Sequence, residues 1–338
     1  MDVLLVKLSS LGDVVHTLPA LTDAARSRPD VAFDWVVEAA YRPIAALHPA
    51  VRKVVPVAIR RWRRAPLREL GALRASVAAL RSVRYDLAID AQGLAKSAIV
   101  CRLARASERC GYDRASAREP VAASFYERTC AVPRDRHAIE RTRMLFAHAL
   151  GYPPPSSCAD FGLCRSEGGS NAIALLHGTT WATKRWPEAF WRALAGRATR
   201  RGLDVIVPAG DADERARAER IASGNSGVRV LPPLPLDALV GELSRVRAAV
   251  GVDSGLGQLA AALGVPTIAL YGPTDPRLTG CVGPRAANVA ASFPCAPCRK
   301  RSCSYRDEPV FDADLAIEPP CFSTVSVDAV FRELERVL

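Results

Sequence analysis

Short apolar runs rich in Val, Ile and Leu alternate along the chain with longer amphipathic stretches of Ala, Arg and Leu. Strands and helices that take turns in a mainly parallel sheet leave this pattern. It predicts a buried strand over 3–8, a helix over 14–26 and strands over 33–37 and 54–57. A helix over 67–82, a strand over 87–90 and a helix after Gly93 follow. The rhythm then restarts from Ala172, with strands to Leu176, over 204–207, over 228–231, ending at Val252, and over 267–271. Helices are expected between them near 187–199, 213–222, 236–246 and 257–263, and an amphipathic closing helix over 327–337.

Between the two series lies Gly151-Tyr152-Pro153-Pro154-Pro155-Ser156-Ser157, a stiff, helix-breaking stretch suited to a connection, with Gly168-Gly169-Ser170 shortly after. The expected division is 1–155 for a first domain, 170–325 for a second and 326–338 for the closing helix. Each domain reads as a Rossmann-like α/β unit with a parallel sheet. Two such domains facing each other across a cleft would bind a ligand at the carboxyl ends of their strands.

Composition sharpens this only in part. The chain has 338 residues, long enough for two cores, and a formal charge of +11, with five lysines among its 46 basic residues. So basic a surface points to an acidic partner: nucleic acid, a phosphorylated sugar or an anionic membrane face. No run approaches the twenty or so apolar residues of a membrane span, and the first residues lack the marks of a signal peptide. The expected location is therefore the cytoplasm, where ten cysteines do not make a disulfide framework.

Candidate chemistry gathers at the ends of the predicted strands. The first strand runs into Lys7-Leu8-Ser9-Ser10-Leu11-Gly12-Asp13, a small-residue turn that opens a helix. Asp13 could simply cap that helix, or, ionised at a helix N-terminus, serve a hydroxyl as general base. Arg60, Arg61, Arg63 and Arg64 crowd around Trp62. They form either a solvated face or a clamp for a doubly anionic acceptor, and one aromatic is a poor stacking platform for nucleic acid.

In the second half, His177-Gly178-Thr179-Thr180-Trp181-Ala182-Thr183-Lys184-Arg185-Trp186-Pro187 brings hydroxyls, a lysine and free amides to where a diphosphate would sit. Asp253-Ser254-Gly255 and Thr274-Asp275 repeat the strand-to-turn arrangement. Neither the G-x-x-x-x-G-K-S/T loop nor the dinucleotide glycine fingerprint is present, which disfavours ATP hydrolysis and nicotinamide chemistry. Finally, Cys295-x2-Cys298-x4-Cys303-x17-Cys321 reads either as a tetrahedral structural zinc or iron site or as buried or reactive thiols. Four thiolates would leave such a metal no open position for catalysis.

With these residues in view, nearly the whole chain resembles the ADP-heptose glycosyltransferases of family 9. The likeness rests on Ser9-Ser10-Leu11-Gly12-Asp13-Val14-Val15-His16-Thr17-Leu18-Pro19, Phe33-Asp34-Trp35-Val36-Val37-Glu38, the Ile59-Arg60-Arg61-Trp62-Arg63 run and Ile89-Asp90-Ala91-Gln92-Gly93-Leu94. It continues in Ala117-Arg118-Glu119-Pro120, Thr179-Thr180 with Lys184 and Trp186-Pro187, Val252-Asp253-Ser254-Gly255-Leu256 and Tyr271-Gly272-Pro273-Thr274-Asp275-Pro276.

The resemblance implies a GT-B fold and an inverting transfer of heptose from ADP-heptose to a Kdo of Kdo2-lipid A, at the cytoplasmic surface of the inner membrane. Asp13 would be the base, and Lys184 would stabilise the leaving diphosphate. Thr179, Thr180, Lys184, Glu214, Asp253, Ser254, Gly255 and Gln258 would bind the donor. Arg60, Arg61, Arg63, Arg64, Gln92 and Arg118 would bind the acceptor. No cofactor is expected, no catalytic metal and no nucleic-acid partner.

Two positions depart from the family pattern. Ser254 stands where a threonine is usual and keeps its hydroxyl, whereas Gln258 stands in for a histidine and cannot carry positive charge toward phosphate. The cysteine segment looks more like that of heptosyltransferases acting on the second core heptose, or of iron-binding ones that modify proteins. A second core heptose or a protein serine is therefore the alternative acceptor. A basic RNA- or anionic-lipid-binding protein is the alternative of another class.

Overall fold

The computed structural model describes residues 1–65, 68–163 and 169–338, apart from the side chains of Arg60 and Arg63. It divides into two compact units, Met1–Leu163 and Cys164–Leu338, each with its own six-stranded parallel sheet.

The first unit contains β1 (Asp2–Val6), α1 (Leu11–Val15), α2 (Leu18–Ser27), β2 (Ala32–Glu38), α3 (Arg42–Ala45), β3 (Val51–Val57) and α4 (Ile59–Arg64). It continues with α5 (Leu70–Arg81), β4 (Arg84–Asp90), α6 (Ala95–Leu103), β5 (Arg105–Tyr112), β6 (Arg128–Cys130) and α7 (Ala138–Leu150). The sheet order is β3-β2-β1-β4-β5-β6. β1 is central because every side chain from Val3 to Val6 is apolar and buried, as a strand covered on both faces requires. The order runs outward from β1 on one side and from β4 on the other. The β1–β4 junction is therefore the switch point, where such sheets bind ligands at their carboxyl ends.

The second unit repeats the scheme with β7 (Ala172–Leu176), α8 (Glu188–Arg200), β8 (Asp204–Val207), α9 (Ala212–Ala222), β9 (Val228–Val230), α10 (Leu236–Arg245) and β10 (Ala248–Val252). α11 (Gly255–Ala262), β11 (Thr267–Tyr271), α12 (Pro276–Thr279), β12 (Ala286–Ala290) and α13 (Val327–Val337) complete it. The order β12-β11-β10-β7-β8-β9 puts the switch point between β7 and β10. Trp186, Trp191 and Phe190 pack edge to face beneath this sheet. Val330 and Leu334 of α13 join the same core.

Several elements differ from the expectation. The helix over 14–26 is two helices, because Pro19 in the first turn of α2 has no amide to continue the ladder across His16 and Thr17. β3 begins at Val51, earlier than its apolar run. β5, β6 and β12 carry exposed or polar positions and lacked a continuous apolar signal. The start of the helix expected over 67–82 and Gly168 of the glycine cluster lie outside the described residues; α5 is seen from Leu70. Gly151 ends α7 in the left-handed conformation, φ 72°, which glycine adopts without steric cost. Among the described residues no helix is long and apolar enough to cross a membrane.

Candidate functional site

In the first unit the site grows from the ends of β1 and β4. The β1 strand stops at Val6, and Lys7 turns its ammonium beneath the following loop, donating to the Ala91 carbonyl at 2.7 Å. The neighbouring Gln92 is itself buried, and its carboxamide oxygen accepts from the Leu8 and Ser9 amides at 3.0 and 3.2 Å. Asp90, wholly buried, accepts from the Gln92 and Gly93 amides and from the Tyr126 hydroxyl at 2.7 Å. Burial pushes the Asp90 carboxyl up, against the pull of those donors. The loop ahead of Asp13 is thus pinned by a chain of satisfied polar groups, and Gln92 is one of its pins.

Asp13 fills the third position of α1. One oxygen, Oδ2, accepts from the Ser10 amide at 2.9 Å, so the capping role is real. The other, Oδ1, accepts from the Arg118 guanidinium at 2.9 Å and lies 4.0 Å from the Lys7 ammonium. Burial alone would raise this carboxyl. Lys7 and then Arg118, the Ser10 amide and His16 outweigh it and hold Asp13 below the ordinary carboxylate range. Lys7 moves down to about 8, chiefly through burial, with Asp13 opposing and Arg118 adding to the fall. Arg118 is half exposed, whereas Lys7 is enclosed, so the carboxylate has one fixed cationic neighbour and one free to reach outward.

Of the arginine run on α4, Arg61 pairs with Glu69 at 2.9 Å and Arg64 is exposed. No ion pair joins either of them to Asp13 among the described residues. The side chains of Arg60 and Arg63 lie outside the described residues.

In the second unit the candidate donor residues gather at the ends of β7, β10 and β11. Thr179 and Thr180 occupy the turn after β7, half-buried and exposed respectively. Lys184, at the end of the short 3-10 turn Ala182–Lys184, pairs with Asp253 at 2.7 Å and lies 4.6 Å from the centre of the Trp181 ring. Ser254 is the N-cap of α11 and Gly255 its first residue, yet the Ser254 side chain makes no capping hydrogen bond. Its hydroxyl is buried without a hydrogen-bond partner among the described residues, as is that of Thr274 in the loop after β11. Buried hydroxyls are normally bonded, so these two, at adjoining strand ends, have donors and acceptors left for a polar ligand.

Glu214 stands in the first turn of α9, its carboxylate against Gly178 and accepting from the Gly210 amide at 2.8 Å. Gln258 is buried and donates to the Thr279 carbonyl at 2.7 Å, so it ties α11 to the end of α12.

Of the two readings of the cysteine segment, the arrangement of the side chains supports separate thiols rather than a tetrahedral metal site. Cys321 packs in the apolar core beside Phe322 and Gly272, its thiol pushed up to about 12 by burial, with Cys295, Cys298 and Cys303 adding to the rise. Those three sit at the surface or half-buried. Among the described residues no three His, Cys, Asp or Glu side chains are arranged to hold an ion. The structural zinc or iron site read from the spacing is therefore not supported by the side-chain arrangement.

Two residues here escaped the sequence reading. Lys7 directly follows the buried apolar run Val3–Val6, and a cation in that place six residues before an aspartate was the available signal. Trp181 falls inside the quoted motif, but only the fold shows its ring meeting two cations, Lys184 and Arg301.

Two Rossmann-like parallel sheets in succession, the first presenting an ionised aspartate and the second a lysine with open hydroxyls, define a glycosyltransferase of the GT-B class. The comparisons narrow the class. Residues 73–308 match the model of glycosyltransferase family 9 (heptosyltransferase), and the chain belongs to that family.

It is 50% identical over 349 residues to lipopolysaccharide heptosyltransferase 1 of Pseudomonas aeruginosa, covering 100% of this chain and 98% of that one. Among solved structures it is similar to the E. coli heptosyltransferase WaaC with ADP, at a TM-score of 0.86 and 38% identity over 100% of both chains. The same enzyme with ADP-2-deoxy-2-fluoro heptose gives a TM-score of 0.82.

Proposed function

We propose that the chain transfers heptose from ADP-heptose to a Kdo hydroxyl of Kdo2-lipid A in one inverting displacement, working peripherally at the cytoplasmic face of the inner membrane. The observation that carries this reading is the Asp13 carboxylate, ionised between Lys7 and Arg118 at the switch point of its sheet. The names of the similar heptosyltransferases support donor and acceptor class.

In the reaction the acceptor oxygen attacks the anomeric carbon while Asp13 takes its proton. The bond from that carbon to the diphosphate oxygen breaks, and its electron pair leaves with ADP. A carboxylate held so low is a weak base while both cations face it. Arg118, the exposed one, would turn to the anionic acceptor, joined by Arg60, Arg61, Arg63 and Arg64, and Asp13 would then gain basicity as its proton arrives. Gln92 keeps the loop in place for this step.

On the donor side the diphosphate would compete with Asp253 for Lys184 and receive the Thr179, Thr180 and Ser254 hydroxyls and the amides opening α11 at Gly255. Glu214 would approach the adenosine. Gln258 would act by fixing α11 through its hydrogen bond to the Thr279 carbonyl. The charge on departing ADP would fall on protein cations and amides.

ADP release from ADP-heptose, followed with Kdo2-lipid A, with an acceptor already carrying the first heptose and without acceptor, tests the assignment. Release stimulated only by Kdo2-lipid A is expected. Stimulation only by the heptosylated acceptor would move the protein to the second core step.

A further inference from the structure

The cysteine segment has no part in the reaction above, yet it is built into the donor side of the second unit. The Thr183 hydroxyl, in a residue only 4% exposed, donates to the Lys300 carbonyl at 2.8 Å and approaches the Arg301 carbonyl at 3.4 Å. The Arg299 amide donates to the Pro273 carbonyl at 2.7 Å. Residues 299–301 are thereby stitched to two strand-end loops at once, one carrying Lys184 and the other Thr274. Arg301 then lays its guanidinium 5.1 Å from the centre of the Trp181 ring, the same ring that Lys184 approaches to 4.6 Å.

We propose that Arg301 is a second cationic ligand for the diphosphate of the nucleotide sugar, delivered to the donor site by the cysteine-bearing loop. The inference rests on the second unit being the donor-binding one. Charge balance supports it. The Lys184 charge is largely cancelled by Asp253, and α11 offers about half an elementary charge at its N-terminus. A diphosphate leaving with the electron pair of the broken bond carries more negative charge than these neutralise.

Arg301 has no carboxylate partner among the described residues, so its charge is free for a ligand. Resting on an indole face, the guanidinium is weakly hydrated and already ordered, which lowers the cost of binding phosphate. The unpartnered hydroxyls of Ser254 and Thr274 border the same loops and supply donors of the kind a phosphate accepts.

Calorimetric titration of the full chain with ADP and with AMP, on wild type, Arg301→Ala and Arg301→Lys, tests the proposal, with kcat measured on each. Arg301→Ala should weaken ADP about tenfold or more, the loss expected of a charged hydrogen bond, and leave AMP much less affected. Its kcat should fall, Arg301→Lys should recover part of both effects, and the melting temperature should stay at the wild-type value. Equal losses for ADP and AMP, or an ADP affinity and kcat like those of wild type, would overturn it. Wild-type protein that binds no ADP would instead overturn the donor-site reading itself.

Discussion

Asp13 caps α1 and is also the proposed general base. Its two oxygens are divided, one toward the Ser10 amide and one toward Lys7 and Arg118. The helix-cap and general-base readings of the sequence are therefore compatible. Because Lys7 is the largest influence opposing burial, Lys7→Met should let desolvation raise the Asp13 carboxyl, and the acid limb of the kcat/KM profile should move to higher pH. Lys7→Arg should leave the limb nearer its original place, and a limb that does not move in Lys7→Met would separate Lys7 from Asp13.

Stability carries the opposite signature from an ordinary ion pair. The folded Lys7 value, about 8, lies below that of the unfolded chain, so between about 8 and 10.5 the unfolded state binds the extra proton. Wild-type stability should gain with rising pH across that window. Lys7→Met should lose that gain, a difference that denaturant titrations at pH 7 and 10 would read. Lys7 and Asp13 stand together in the sequence, but nothing in their order revealed that Arg118, more than a hundred residues on, closes the triangle.

Among the elements, the ends of β1, β7 and β10 were legible because apolar runs stop at Lys7, His177 and Asp253, each leading into a turn of small residues. β5 and β6 were not, since Arg105, Glu108, Arg109 and Arg128 break the apolar run while their stems and charges are settled by long-range pairs such as Arg128 with Glu108. Yet β5 matters to the site. Gly111 leaves room for the Tyr126 ring: a Cβ there would lie 2.4 Å from it, and Tyr126 is what holds the second oxygen of Asp90.

Gly111→Ala should cost about 1–3 kcal/mol of stability by overpacking, measurable by urea unfolding. Gln92→Leu leaves the Leu8 and Ser9 amides without their acceptor, so it should lower kcat while ADP affinity stays as in wild type. A Gln92→Leu enzyme of normal kcat would remove the loop from the account.

At the scale of the whole molecule, two units each own a sheet and a core, and the proposed chemistry divides between them. The two parallel sheets were legible in the repeated strand-helix rhythm, and the candidate donor residues Thr179, Thr180 and Lys184 in their placement after strands. The docking of residues 299–301 onto the turn after β7 was not, since more than a hundred residues separate Thr183 from Lys300 and no local pattern announces their contact. ADP at a hundredfold excess over its Kd should stabilise the second unit by about 2.7 kcal/mol. In hydrogen exchange the protection should appear in the segments around Thr179, Ser254 and Thr274 and not around Asp13.

The central claim is that an ionised Asp13 removes the acceptor proton without sharing in donor binding. Asp13→Asn keeps the shape and the Ser10 contact while removing the charge. The most direct measurement pairs single-turnover heptose transfer to Kdo2-lipid A with the ADP dissociation constant of the same variant. Transfer slowed about a hundredfold or more with ADP affinity essentially unchanged is expected; transfer at a near-normal rate would dismiss Asp13 as the base.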